Sequence, residues 1–185
     1  GAIALCRTLG RSKKLRQILL GANSIGSRGA AAFSEAVKNN ENIREFLLPN
    51  NHIQDSGLNA IVSALRVADN IRELNLSRNA ISDVGGRVIA DLLKDNARIY
   101  QINLSRNRIK SEGGRKIAEA LTVNQWVNTI NLHGNQLGDQ GVLALSKAIG
   151  KNKFIGEIVL TRNNVSDKTK RRIKSFDVRH IVTIQ

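Results

Sequence analysis

Asparagine stands at residues 23, 51, 79, 107, 135 and 163, every step being 28. Three residues before each comes a leucine: Leu20, Leu48, Leu76, Leu104, Leu132 or Leu160. Two before those comes Ile18, Phe46, Leu74, Ile102, Ile130 or Ile158. A third apolar column opens each unit (Leu15, Ile43, Ile71, Ile99, Val127, Ile155), and a fourth follows the asparagine by two (Ile25, Ile53, Ile81, Ile109, Leu137, Val165). Six units without an insertion restrict the chain to a stack of like coils. Self-similarity at a fixed period dictates the architecture ahead of any local propensity.

Within a unit, the pattern LxxLxLxxN alternates apolar residues at its centre, the period of a strand with one buried face. The second half opens on Ser27, Asp55, Asp83, Ser111, Asp139 or Asp167, residue types that cap helix N-termini. Glycine comes two residues later in five units, at 29, 57, 85, 113 and 141. These glycines read as close packing where the strand side meets the helix start, not as a phosphate loop. Apolar residues then return at helical spacing, as in Val88, Ile89, Leu92 and Leu93. The spacing predicts strands at about 17–20, 45–48, 73–76, 101–104, 129–132 and 157–160, and helices at about 28–39 and at 28-residue steps. One unit cannot bury both its apolar faces alone, but stacked neighbours share a continuous core.

These units resemble leucine-rich repeats, and the 28-residue length with a full helix is similar to the ribonuclease-inhibitor-like subclass. The resemblance covers residues 1–178. It implies an α/β fold, a right-handed leucine-rich-repeat solenoid in a horseshoe arc, with a parallel concave sheet and convex helices. The asparagine column, Asn23, Asn51, Asn79, Asn107, Asn135 and Asn163, reads as a structural ladder. A buried amide there pairs with backbone groups of its own turn and the next. One domain is expected over 1–185: a partial repeat at 1–14, five full repeats at 15–154, and a terminal or capping repeat at 155–185.

Residues 1–14 align with the helical half of a unit, Leu5 falling in the column of Phe33 and Ile61, and Leu9 in that of Val37 and Leu65. No strand precedes them, "GAIALCRTL" makes no polar cap, and the chain has no Met, so further repeats or another domain are expected before it. At the other end Thr169 replaces the repeat glycine, and the period shortens before a strand-like run at Ile181 to Ile184. The basic run Lys168, Lys170, Arg171, Arg172 and Lys174 reads either as the solvated face of a capping helix or as an anion-binding patch.

Lys and Arg number 29 against 15 Asp and Glu, a net charge of +14, which brings an acidic partner into consideration: an acidic protein tail, nucleic acid or an anionic membrane. No apolar run approaches 18 residues, so no membrane span is expected. The single Cys6 has no partner for an internal disulfide, and no Cys/His cluster has metal spacing. The expected setting is reducing and cytoplasmic, with nucleus, cytoskeleton or cilium as alternatives.

Side chains between the strand's apolar positions face away from the core. One such column is Gln17, Glu45, Glu73, Gln101, Thr129 and Glu157; the next is Leu19, Leu47, Asn75, Asn103, Asn131 and Val159. Beyond the strand follow Ala22, Asn50, Arg78, Arg106, Gly134 and Arg162, then Ser24, His52, Ala80, Arg108, Gln136 and Asn164. Carboxylates and amides are thus expected in the middle of the concave face and arginines along one rim. Variation at these positions within a constant pattern suits a surface matched to a partner. The expected partner-binding residues are Glu45, Glu73, Asn75, Arg78, Tyr100, Asn103, Arg106, Arg108, Asn131 and His133.

Catalysis finds little support. His52, His133 and His180 fall in separate turns or strands, with no Ser or Cys placed beside them. Glu45 and Glu73 face one side on neighbouring strands, but an open sheet does not exclude water. No catalytic residue, cofactor or metal is therefore expected. Readers of single-stranded nucleic acid use aromatic platforms, and aromatics make up 3% of the chain. Tyr100 lies near the sheet, and Trp126 is expected to pack in its turn. The reading is a non-enzymatic protein-interaction module within a larger protein, with charge-driven binding of a polyanion as the rival. The resemblance adds narrower settings that no residue motif selects: an innate immune sensor, a Ran-type GTPase activator, or a cytoskeletal or ciliary scaffold.

Overall fold

The chain is described by a computed structural model, which covers residues 6, 8–174 and 181–184. Leu5 and His180 lie outside the described residues. Strands and helices alternate: β1 (Gln17–Leu19), α1 (Gly26–Lys38), β2 (Glu45–Leu47), α2 (Gln54–Leu65), β3 (Glu73–Asn75), α3 (Asp83–Asp95) and β4 (Gln101–Asn103). Then follow α4 (Ser111–Leu121), β5 (Thr129–Asn131), α5 (Gly138–Lys151), β6 (Glu157–Val159), α6 (Asp167–Lys174) and β7 (Ile181–Thr183). The strands form one parallel sheet in the order β1 to β7. Every pair from β1 to β6 is in register at the repeat offset, Glu45 facing Glu73 and Glu73 facing Gln101. The last step is shorter, Glu157 facing Ile181. This is the α/β solenoid that the period predicts. Each strand from β1 to β6 is one residue shorter than expected, ending just before the leucine.

The apolar columns meet between sheet and helices. Phe46, Leu74, Ile130 and Leu104 from the strand side, and Leu58, Ile61, Ile89, Ile117 and Leu145 from the helices, are fully buried. Each contributes about 1.5–3 kcal/mol through removal of apolar surface from water. In the first coil Leu15, Leu20 and Ile25 are only partly buried, since no coil covers them from the other side among the described residues.

The expected capping residues do a different job. Ser82 is the helix-capping side chain in α3, accepting from the Val84 amide. Ile25, Ile53 and Leu137 precede their helices in helical conformation with no side-chain cap. The aspartates instead cap the following coil. Asp55 Oδ1 accepts from the amides of Ser82 at 2.9 Å and Gly85 at 3.1 Å. Asp83 Oδ1 accepts from Lys110 at 2.7 Å and Gly113 at 2.8 Å. Asp139 takes the amide and hydroxyl of Ser166. Ser27 and Ser111 donate to the carbonyls of Ile53 and Leu137, again one coil on. A carboxylate thus meets the orphan N–H groups of its neighbour's helix start, where the helix dipole also favours it. Asp167 begins α6 and pairs with Lys170 at 3.3 Å.

The asparagine ladder is present, with one correction. Asn107 Oδ1 accepts from the amides of Asn79 and Ile81, while its Nδ2 donates to the carbonyls of Leu76 at 3.0 Å and Leu104 at 2.9 Å. Asn51, Asn79, Asn135 and Asn163 repeat the pattern and are buried. Asn23 is exposed, and its side chain bonds only locally, to the Gly21 carbonyl. The amide of each rung serves the preceding coil, and Asn23 has none to serve among the described residues.

A second asparagine column, not anticipated from the sequence, closes the helix C-termini. Asn124 Nδ2 donates to the Leu93 and Asn96 carbonyls, and its Oδ1 accepts from Trp126 and Val127. Asn40 and Asn152 do the same one coil apart from their own neighbours. Among the described residues no buried side-chain nitrogen or oxygen lacks a partner. No described helix is long and apolar enough to cross a membrane.

Candidate partner-binding face

The exposed face of the sheet carries three lines of side chains. At the start of the strands, Glu45 and Glu73 stand half-buried and paired in register, with Gln17 donating to Glu45 at 2.7 Å. At their ends, Asn75, Asn103 and Asn131 each fold the carboxamide oxygen onto the amide two residues ahead, at 3.0 Å. These three amides therefore shape the turn as well as facing solvent. Next come Arg78, Arg106 and Arg162, all exposed.

Those arginines sit in an unfavourable backbone conformation. Their φ values are 57°, 56° and 55°, in the left-handed region, whereas the equivalent place one coil after Arg106 holds Gly134 at 67°. A residue with a Cβ pays about 1–2 kcal/mol there. Ala22 and Asn50 complete the same column. Arg108, two residues beyond Arg106, lies outside the left-handed set and is exposed.

His133 joins this rim. It is half-buried, and its Nδ1 bonds the Thr161 hydroxyl. Burial lowers its pKa below the ordinary imidazole value, and the positive charges of Arg106 and Arg162 lower it further. The ring is thus neutral near pH 7, so it serves as a hydrogen-bonding group between two fixed cations. The face offers donors and cations along the rim and carboxylates across the middle. No group of His, Cys, Asp and Glu among the described residues is arranged to hold a metal ion.

The family described as "Leucine Rich repeat" matches residues 69–90, 101–118 and 123–146. These coils are leucine-rich repeats. Among solved structures, the chain is similar to leiomodin-1 actin-binding site 2, at 16% identity over 96% of this chain and 88% of that one, with a TM-score of 0.54. It is also similar to the tropomodulin C-terminal domain of Caenorhabditis elegans, at 15% identity over 96% and 91%, with a TM-score of 0.55. At that identity the likeness is one of fold. No curated protein sequence matches the chain.

Within the repeats, the remaining expected residues fall apart from this rim. Tyr100 stands exposed one residue before β4. His52 is exposed in a turn of the second coil. Lys168, Arg171 and Arg172 are exposed on α6, Lys170 is half-buried, and Ile173 turns into the core, so the basic run lies on one side of an amphipathic helix. The side chain of Lys174 lies outside the described residues. Trp126 does not pack into its turn as expected: it is 51% exposed. The turn is closed by the Asn124 carboxamide on the Trp126 amide, so the ring is not needed to fill it.

A second arginine line went unread. Arg16, Arg44 and Arg72 lie 28 apart at the opposite end of the strands, all exposed. Arg16 and Arg44 donate to the carbonyls of Lys13 and Glu41, bracing the turn into the strand, and Arg72 reaches the Arg98 carbonyl of the next coil. Their recurrence at the repeat step was the available signal. With Lys38, Val67, Asp69 and Arg98 the last two line a groove of about 580 Å³.

Proposed function

We propose that the chain is a non-enzymatic protein-interaction module whose partner rests on the concave sheet and grips the rim formed by Arg78, Arg106, His133 and Arg162. The observation that carries this reading is the column of exposed guanidiniums at Arg78, Arg106 and Arg162, held in the left-handed turn beside the sheet. Glycine satisfies that conformation without strain, as Gly134 does in the same column. The same conformation recurs at Ala22 and Asn50, so it belongs to the turn, and what distinguishes the three arginine positions is the exposed guanidinium each presents. Arginine offers planar, bidentate recognition of carboxylates. The matching partner surface is therefore acidic opposite the rim and basic or amide-rich opposite Glu45 and Glu73. The fold likeness to a domain described as an actin-binding site supports a protein as the partner class.

The test is affinity capture from cell extract at two salt concentrations, read by mass spectrometry, followed by variants against the captured protein. Arg106→Glu, Arg162→Glu and Glu73→Lys should each weaken binding strongly. Neutralising Lys170, Arg171 and Arg172 together should leave it nearly unchanged. The reverse order, together with log affinity falling by about 0.9 per phosphate against log salt, would assign the chain to a polyanion instead.

A further inference from the structure

The turns that lead from each helix into the next strand form the edge opposite the arginine rim. Among the described residues seven large apolar side chains are well exposed, and five of them lie on this edge: Val67, Tyr100, Val123, Trp126 and Phe154. Trp126 and Phe154 occupy the same place in adjacent coils, each three residues before a strand residue that pairs in register, Thr129 with Glu157. They are 51% and 49% exposed. Because successive strands share one offset, corresponding turns line up along a single edge.

The same edge is basic. The turns at 11–16, 38–44, 66–72, 94–98 and 150–156 each carry more Lys and Arg than Asp and Glu, and the turn at 122–128 carries no charge. Lys151 and Lys153 immediately precede Phe154 in the same turn, and none of the ion pairs among the described residues uses either. The apolar side chains project one or two per turn from separate coils. A folded partner would need a complementary shape, whereas a lipid interface takes up isolated rings at headgroup depth and places lysines beside its phosphates.

We propose that this edge seats the protein on an anionic lipid bilayer, with Trp126 and Phe154 entering the headgroup region and Lys151 and Lys153 pairing with the acidic lipids. Docking by the edge leaves the concave sheet open, so the inference is independent of the protein-binding reading and extends it to where the module works.

Trp126 is the chain's one tryptophan, so its fluorescence reports this site alone. Vesicles of phosphatidylcholine containing about 30% phosphatidylserine should move its emission to shorter wavelength and carry the protein into the pellet. Pure phosphatidylcholine vesicles should do neither. Lys151→Gln with Lys153→Gln should reduce partitioning about thirty-fold, at about 1 kcal/mol per basic residue. Phe154→Ser should also reduce it, while Leu19→Ser on the concave face should not. All these side chains are exposed, so the variants should fold, which circular dichroism checks. No spectral shift with the acidic vesicles, or an undiminished one in the double lysine variant, overturns the proposal. A shift produced by polyglutamate and not by vesicles would assign the edge to an acidic protein, and would overturn it equally.

Discussion

Asp83 reaches across thirty residues to Gly113: its Oδ1 accepts the glycine amide at 2.8 Å, and a Cβ added to Gly113 would stand 2.7 Å from that same oxygen. The carboxylate that caps the next helix thus also excludes a side chain from it. The pair explains in one contact why aspartate and glycine recur together in these coils. Gly113→Ala should destabilise by about 1–3 kcal/mol through overpacking, against Ile109 as well as Asp83. Asp83→Ala should cost about 1–2 kcal/mol by uncapping α4. In the double variant part of the glycine cost should disappear, because one obstructing group is gone. Strict additivity in denaturant melts would refute the shared contact.

The asparagine column is graded by position. Asn107→Ala removes the carboxamide's hydrogen bonds to the backbone of Asn79, Ile81, Leu76, Leu104 and Ser105 and should cost a few kcal/mol. Asn23→Ala, at the exposed end of the same column, should stay within about 0.5 kcal/mol. Equal losses in urea unfolding would contradict the graded ladder.

The arginine rim holds stability and binding in opposition. Arg106→Gly relieves about 1–2 kcal/mol of left-handed strain and loses about 0.4–1 kcal/mol to the freer unfolded chain, so it should be neutral to slightly stabilising. Arg106→Ala keeps the strain and should bring no gain. Both should weaken the captured partner alike. A clear loss of stability in the glycine variant would show that the guanidinium holds the fold instead.

Stability should fall as pH drops below about 6.5. His133 is held below that ordinary value by burial and by Arg106 and Arg162, so the unfolded chain takes up its proton first. With more protons bound to the unfolded state, stability rises with pH through this window, and the loss levels off once pH passes below the folded pKa. His133→Gln should flatten the dependence below about pH 6.5. An unchanged slope in urea midpoints would remove His133 as its cause.

Amide protection should rise from the first coil toward the middle of the array. Among the described residues β1 pairs on one side only, and Leu15 and Leu20 are incompletely covered, whereas residues 99–121 have coils on both sides. Stacked repeats lose their terminal units first. Hydrogen exchange finding 17–20 as slow as 99–121 would contradict nearest-neighbour stacking as the source of stability.

The period, the strand positions and the buried columns were legible in the amino-acid order alone, because each coil obeys the same local rule and repeats it six times. Alternation at Leu74 and Leu76 and helical spacing at Ile89 and Leu93 need no knowledge of the neighbours. What the neighbours decide was not legible. Asp55 looks like a cap for its own helix, yet it caps the one starting 28 residues later, since the stacking places the next coil's free amides within its reach. Asn23 matches its column in sequence but is exposed for want of a coil to serve. The second asparagine column was hidden by Ala68, where Asn70 bonds the Asn40 and Ile43 carbonyls from two residues further on. Trp126 and Phe154 share a place in the repeat, but their spacing does not tell that both rings are left half-exposed. Sequence determined the coil; stacking decided which side chain bonds across coils and which is left facing solvent, because those partners lie a full repeat away.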